Sequence, residues 1–393
     1  MMEFTRGIDK NEPVALARLD DYNVETLENT IRDQLGKLGC RDIFDGKRVV
    51  IKPNLVMKKS PEAAATTHPA VLEAMLRVLQ GSAKEIIIAE SPPGLYTEAS
   101  LKGFYNACGI SAVAEKYGAK LNFDTSSREV TLPDAMTAHG FELITPLLDA
   151  DVIVNLAKLK SHALTKFSGA VKNYFGTIPG LAKVETHARF PDYNDFGSML
   201  VDLCAFHAGN KPTFNLLDGI IAMEGNGPTG GEPRRLGYLI AGLNPFNVDI
   251  VGTELIGFDN VIMLEEAKRR GYAADSPTIR GRGREGQGVD DFVRPDSAAG
   301  GGVSAIEWLS KAFGGRLYRW LQPRPVVDVS KCVGCGECAR SCPKKTIELI
   351  EKGGKRRAHI KDADCIKCYC CQELCPVKAV RIHKNLIMKL LGG

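Results

Sequence analysis

Eight of the twelve cysteines fall into two copies of one pattern. Cys332, Cys335, Cys338 and Cys342 are followed by Pro343, and Cys365, Cys368, Cys371 and Cys375 by Pro376, each copy reading C-x2-C-x2-C-x3-C-P. The second copy repeats the first at one constant offset, from Cys332 and Cys365 at the start to Pro343 and Pro376 at the end. Thiolates this close can wrap three corners of an iron–sulfur cube, while the fourth reaches across to the other cube. The proline turns the chain away from the cluster. The spacing predicts two [4Fe–4S] clusters, and nothing in the chain identifies an organic cofactor.

Other uses of cysteine fit less well. A disulfide framework belongs to small secreted domains, whereas this chain has 393 residues and a polar N-terminal stretch, Met1 to Pro13, without a signal-peptide pattern. Zinc needs four thiols and has no use for the x3-Cys-Pro extension. Cys370 falls outside the spacing and reads as a bystander beside the cluster. Cys40, Cys108 and Cys204 read as small core side chains.

A second group of reactive side chains follows stretches that read as strands. Arg48 to Lys52 runs into Pro53-Asn54. Glu85 to Ala89 is followed by Glu90, and Asp151 to Leu156 by Lys158, Lys160 and His162. Phe214 to Ile221 is followed by Glu224 and the glycine loop Gly225 to Gly231, which contains Gly227. Meeting at one place, these ends would make a pocket of cations, a histidine and carboxylates suited to an anionic small molecule. Backbone amides of a glycine-rich turn can add an anion nest. Lys52, Glu90, Lys160, His162 and Glu224 are predicted to line one cleft. His162 and Glu224 on opposite faces of the sheet would remove the main support for an enzyme. The glycine loop is neither a P-loop nor a dinucleotide fingerprint.

The elements that must position these residues alternate from the N-terminus to about position 270. Strand patterns at Pro13 to Leu19, Tyr238 to Ala241 and the four stretches above are interleaved with helical patterns. The helical stretches are Val24 to Leu38, His68 to Leu79, Ile110 to Tyr117 and Phe246 to Ile256. Apolar strands alternating with amphipathic helices predict an α/β fold, a mostly parallel sheet flanked by helices. Ligands in such sheets sit at the carboxyl ends of strands. A small C-terminal α+β dicluster domain of ferredoxin type is predicted to follow.

The stretches Val49 to Leu55, Thr67-His68-Pro69, Leu156 to Gly180, Leu217 to Gly231 and Ala241 to Asp259 resemble, in order and content, the family called domain of unknown function 362. The resemblance covers about residues 10 to 275, and such proteins often carry a dicluster ferredoxin module. It implies a candidate pocket of Lys52, Asn54, His68, Lys160, His162, Lys172, Asn173 and Glu224, and names no substrate. The expected domains are 1–275 (α/β), 276–325 (linker and amphipathic helix), 326–384 (ferredoxin) and 385–393 (tail).

Composition is that of an ordinary globular protein, with 44% hydrophobic and 25% charged residues. Residues 331 to 384 hold 13 Lys and Arg against 6 Asp and Glu, a formal +7 (13 − 6). Two oxidised clusters at about −2 each would leave the module near +3. Positive surroundings favour added electrons, although Lys355 to Arg357 also read as a solvated hairpin tip. The glycine- and arginine-rich stretch 274–302 should be mobile or draped over the surface. Ile306, Leu309, Phe313, Leu317 and Trp320 recur at helical spacing, and Trp308 lies among them. This stripe is expected to pack on the protein itself, with a membrane-surface helix as the alternative.

Two function classes follow. One is a redox enzyme in which Lys52, Lys160 and Lys172 hold an anion while His162 or Glu224 moves a proton. The other is a non-enzymatic electron-transfer or cluster-handling protein whose α/β domain binds a partner. A redox partner protein is expected, in a reducing, anaerobic cytoplasm. Neither a nucleic-acid partner nor a membrane span is expected.

Overall fold

The computed structural model describes residues 7–281, 288–298 and 322–384. The strands of the larger domain are β1 (Val14–Arg18), β2 (Arg48–Lys52), β3 (Glu85–Ile88), β4 (Lys120–Leu121), β5 (Ser127–Thr131), β6 (Gly140–Ile144), β7 (Val152–His162), β8 (Lys166–Ser168), β9 (Thr213–Glu224), β10 (Glu232–Gly242) and β11 (Ile279–Arg280). Nine of them form one sheet in the order β11-β1-β10-β9-β7-β2-β3-β4, with β8 attached to β7, while β5 and β6 form a separate hairpin. The run β9-β7-β2-β3-β4 is parallel throughout. Pairings with β10, and β8 with β7, are antiparallel.

Side-chain alternation along each strand feeds two cores, one on each face. In β2, Val50 joins one cluster while Val49 and Ile51 join the other. In β7, Ile153, Ala157 and Leu159 go one way and Val152, Val154 and Leu156 the other. Flanking helices cover both faces, which is why these strands are apolar on both sides.

The chain steps outward from β2 to β3 to β4, then returns to place β7 on the other side of β2. The connections diverge between β2 and β7. In an open α/β sheet that switch point leaves a crevice at the carboxyl ends of the strands.

The smaller domain contains two antiparallel pairs, β12 (Arg324–Val327) with β15 (Val380–His383) and β13 (Ile347–Lys352) with β14 (Lys355–Ile360). Short helical turns at Glu337–Arg340 and Cys370–Glu373 carry Cys338 and Cys371. The two halves repeat in backbone as well as sequence. Positive φ occurs at Gly334 and Lys367, at Gly336 and Tyr369, and at Lys345 and Lys378, each pair set at the offset that separates Cys332 from Cys365.

The described parts of 274–302 are anchored on the larger domain. Ile279–Arg280 pairs with β1, and Phe292 is buried edge-on against Phe258 with ring centroids 5.7 Å apart. One strand pair and one aromatic thus anchor a segment whose composition suggested little burial. The stripe 306–320, including Trp308 and Trp320, and the tail 385–393 lie outside the described residues. Among the described residues no helix is long and apolar enough to cross a membrane.

Candidate functional site between the two domains

The eight motif cysteines surround two cavities of about 340 and 330 Å³. The first is lined by Cys332, Cys335, Cys338 and Cys375, the second by Cys365, Cys368, Cys371 and Cys342. Each motif therefore lends its fourth cysteine to the other cavity, as the spacing predicts. Among the described residues no three His, Cys, Asp or Glu side chains converge as they would on a single ion. A cube takes one thiolate at each of four corners, and each cavity is lined by four motif cysteines. Backbone amides already point at the sulfurs: Ala379 N to Cys375 Sγ at 3.1 Å, Thr346 N to Cys342 Sγ at 3.3 Å and Ala358 N to Cys332 Sγ at 3.4 Å. Such bonds stabilise the extra negative charge of a reduced cluster.

A third cavity, of about 740 Å³, opens at the switch point of the sheet. Its walls come from the end of β2 (Asn54), the end of β3 (Glu90), the end of β7 (Lys160, His162) and the segment after β8 (Lys172, Asn173). A further helix, Ala182–Arg189, supplies Lys183 and His187. The remaining wall belongs to the smaller domain: Cys370, Glu373 and Leu374, interleaved in sequence with the motif cysteines Cys371 and Cys375. Cys370 also lines the second cysteine cavity.

The charged groups are unequally matched. Lys52 Nζ lies 2.5 Å from Glu90 Oε2, both buried. A Cβ on Gly176 would fall 2.0 Å from Glu90 Oε1, so the backbone there must be glycine for the pair to fit. Burial pushes Glu90 up to about 7 against the pull of Lys52 and Lys183. Burial likewise lowers Lys183 to about 7, and its Nζ donates to Ser91 O at 2.6 Å and Ile178 O at 2.5 Å. Lys172 has a cation–π contact, Nζ 5.4 Å from the Phe175 ring centre, and no ion pair within 4.0 Å among the described residues. Burial lowers it while Glu373 opposes the shift.

Lys160 sits at the end of a directed chain of amides. Its Nζ donates to Asn54 Oδ1 at 2.6 Å, and Asn54 Nδ2 to Asn173 Oδ1 at 2.8 Å. Asn173 Nδ2 donates to Asn155 Oδ1 at 2.7 Å, and Asn155 Nδ2 to Asn215 Oδ1 at 2.9 Å. Every carbonyl dipole in the chain points toward the lysine, and such chains polarise cooperatively. They oppose the burial, and the charges of Lys172 and Lys158, that drive Lys160 well below its usual range.

His162 is set by its backbone. Nδ1 accepts from the amides of Leu164 at 3.0 Å and Thr165 at 3.3 Å. The ring proton is therefore on Nε2. Burial, with Lys172 and Lys160 nearby, drives the ring well below its usual pKa and keeps it neutral. Nε2 is 3.2 Å from Glu373 Oε1, yet the two miss hydrogen-bond geometry, and both buried atoms lack a hydrogen-bond partner. The amides occupy Nδ1, so the group that His162 presents to the cavity is Nε2–H.

Three other candidates lie elsewhere. Glu224 follows Met223, which pairs with Lys160 across β9 and β7, so strand alternation turns it to the opposite face from Lys160 and His162. There it accepts from Val293 N at 3.1 Å. His68 caps the helix Pro69–Leu79 and stacks on Tyr22 at 3.7 Å. It belongs to a separate buried group in which Lys158 bonds Asp218 and Tyr22, each at 2.8 Å. Gly227 makes no anion nest, since its amide is directed at Gly225 O (2.9 Å) and Ser161 Oγ (3.3 Å). Lys52 stands behind Glu90.

The glycine loop docks the smaller domain. Thr229 Oγ1 donates to Glu373 O at 2.6 Å, Gln372 Nε2 to Asn226 O at 2.9 Å and Lys378 Nζ to Gly231 O at 3.3 Å. Loop glycines leave room for this: a Cβ on Gly230 would lie 2.7 Å from Gln372 Nε2. Sequence reasoning missed Glu373, Lys183, His187, Asn155 and Asn215. Asparagine inside the apolar runs DVIVNL and TFNLL was the available signal, because a buried amide needs partners.

The sequence profile of a domain of unknown function (DUF362) matches residues 49–254, and that of a 4Fe-4S dicluster domain matches residues 325–382. The chain belongs to the DUF362 family. A thylakoid-associated protein from Synechocystis sp. is 33% identical over 249 residues, covering 63% of this chain and 75% of that one. A ferredoxin from Methanothermococcus thermolithotrophicus is 34% identical over 60 residues, 15% of this chain and 95% of its own. A pyruvate synthase subunit from Methanothermobacter marburgensis is 33% identical over 67 residues, 17% of this chain and 73% of that one. Among solved structures, the lactate racemase apoprotein from Thermoanaerobacterium thermosaccharolyticum aligns with a TM-score of 0.40 at 17% identity, over 61% of this chain and 56% of that one. The smaller domain of this DUF362 protein is an iron–sulfur electron-transfer domain.

Proposed function

We propose that this DUF362 protein is an oxidoreductase in which two [4Fe–4S] clusters deliver electrons to an anionic small molecule bound between its domains. One observation carries the proposal: Cys370 and Glu373, interleaved with cluster ligands, line the same cavity as Lys160, His162 and Lys172. The clusters supply single electrons. Lys172 is the cation with room for an anion, Lys160 adds an amine donor held by Asn54, and His162 Nε2–H offers a directed donor. Glu90, buried and near neutrality, is the residue suited to give up a proton as the substrate takes up electrons. The substrate gains electrons and protons in equal number, and the reduced clusters are reoxidised.

Glu224 lies on the opposite face from His162, so the support expected from their sharing one cleft is gone; the reading rests instead on the cavity that Glu90 and Glu373 share with Lys160 and Lys172. The domain limits 1–275, 276–325 and 326–384 and a reducing, cytoplasmic setting belong to the same proposal. The test is reoxidation of anaerobically reduced protein by a panel of small carboxylates and phosphate esters. A compound that reoxidises the clusters in the native protein, but not after Lys172→Met at unchanged iron content, supports the enzyme. Reoxidation by no small anion, and only by protein acceptors, would favour the non-enzymatic alternative.

A further inference from the structure

The two cysteine cavities face different surroundings. The second is covered: Cys370 and Cys371 are buried, and the adjoining Gln372 and Glu373 are bonded to the glycine loop of the larger domain. The first has buried ligands too, Cys332 and Cys338, and differs in one exposed corner. Cys335 is exposed, Val333 (61%) and Val377 (37%) line the cavity, and Val329 (45%) stands on the neighbouring loop. These are three of the seven large apolar side chains exposed among the described residues, gathered on the smaller domain. Apolar side chains grouped in this way mark interaction surfaces more than scattered ones do.

The rim is positive. Lys331 is exposed, and Arg340 Nη1 donates to Cys335 O at 3.2 Å. The backbone of exposed Arg356 packs against the Gly334 turn. Glu337 pairs with Arg340 at 2.7 Å and Asp328 with Arg381, and exposed Glu351 stands opposite Arg356 across β13 and β14; the excess of positive charge is that of the whole module, 13 Lys and Arg against 6 Asp and Glu over residues 331 to 384.

We infer that the face formed by Val329, Val333 and Val377 around Cys335 docks a small acidic electron-carrier protein that reduces the first cluster. It rests on the proposed function, in which the second cluster serves the cavity and the first must be reduced from outside. An apolar centre with a cationic rim fits a partner with an apolar contact point inside an acidic ring. The exposed thiolate at the centre favours a redox protein over a lipid surface, because electron transfer gains from close approach of the two centres. Each encounter moves one electron: the carrier is oxidised and the first cluster reduced.

The test is stopped-flow reduction of the cluster-loaded protein by a reduced ferredoxin of strongly negative net charge, with dithionite as a small reductant for comparison. The second-order rate with ferredoxin should fall roughly tenfold or more between about 20 and 300 mM salt. A similar fall is expected in Val329→Asp and in Arg356→Glu, with dithionite reduction and iron content unchanged. A ferredoxin rate indifferent to salt and to both substitutions would overturn the inference. So would loss of anionic-vesicle binding in the same variants with the carrier rate intact, which would assign the face to a membrane. Failure of the cavity reading shows separately, as Lys172→Met having no effect on reoxidation by small anions while carrier reduction stays normal.

Discussion

Nε2 of His162 stands 3.2 Å from Oε1 of Glu373. The two are distant in sequence, one at the end of a central strand and the other on a turn that holds a cluster ligand. Around this meeting point the larger domain supplies lysines and the smaller a carboxylate, and neither domain closes the cavity alone. The chemistry of both is therefore coupled through a few side chains, and the coupling can be measured.

The crossed cavities predict how cluster loss should be distributed. Anaerobically prepared protein should carry about eight irons per chain, four for each cube. Cys342→Ser should damage the cluster held mainly by Cys365, Cys368 and Cys371, and Cys375→Ser the one held by Cys332, Cys335 and Cys338. Iron content with EPR of the reduced variants checks this. Loss of the cluster on the mutated motif's own side would show that the ligands do not cross.

Cys370 is no ligand by spacing, but it lines the second cysteine cavity beside Cys368 and Cys371. Cys370→Ala should keep its iron. A thiol at that wall can donate to a cluster sulfur, and losing one such bond of about 0.5–1.5 kcal/mol should lower that cluster's potential by on the order of 20–60 mV. Redox titration followed by EPR reads the shift. An unchanged potential would leave Cys370 as packing only.

Breaking the asparagine chain should be felt at Lys160. Asn155→Leu leaves Asn173 Nδ2 with only its 3.5 Å contacts to Lys52 O and Pro53 O, and removes one donor from Asn215 Oδ1, which keeps Tyr174 OH at 3.3 Å; it should destabilise the protein by about 1–3 kcal/mol. It should also weaken anion binding, since the dipoles no longer favour a charged lysine. Denaturant midpoints and small-anion reoxidation kinetics check both parts. Wild-type stability in this variant would show the chain to be incidental.

Much of the scaffold was legible from periodicity. The helices Val24–Leu38 and Ile110–Tyr117 and the strand Arg48–Lys52 match the pattern residue for residue. β7 was harder. Its apolar run ends at Leu156, yet the strand continues to His162, because Lys158 and Lys160 are buried against Asp218 and Asn54 and not exposed in a loop. The face of Glu224 depends on a register shift, from Lys158 opposite Asp218 to Lys160 opposite Met223. Nothing in the local sequence of β9 shows that irregularity. Glu373 was hidden for another reason: it lies within a cysteine motif that explains itself without the larger domain.

Acid should loosen the larger domain through its buried histidines. His207 is held by burial at about 3, its Nε2 3.1 Å from Thr177 Oγ1. In the unfolded chain a histidine titrates near 6.5, so below that pH the unfolded state binds the extra proton. Stability from this group is full above about 6.5 and drains as pH falls toward 3. At pH 5 the loss is about 2 kcal/mol from the one residue. His207→Phe should flatten the difference in denaturation midpoint between pH 7.5 and pH 5 by about that amount; an unaltered slope would mean that the ring is not buried neutral.

The central claim, that the cavity and the second cluster form one working unit, is tested most directly by potentiometric EPR on Lys172→Met. Removing a cation beside Cys370 should lower the potential of the cluster held by Cys365, Cys368 and Cys371 while leaving the other unchanged. Equal shifts at both clusters, or none at either, would contradict it.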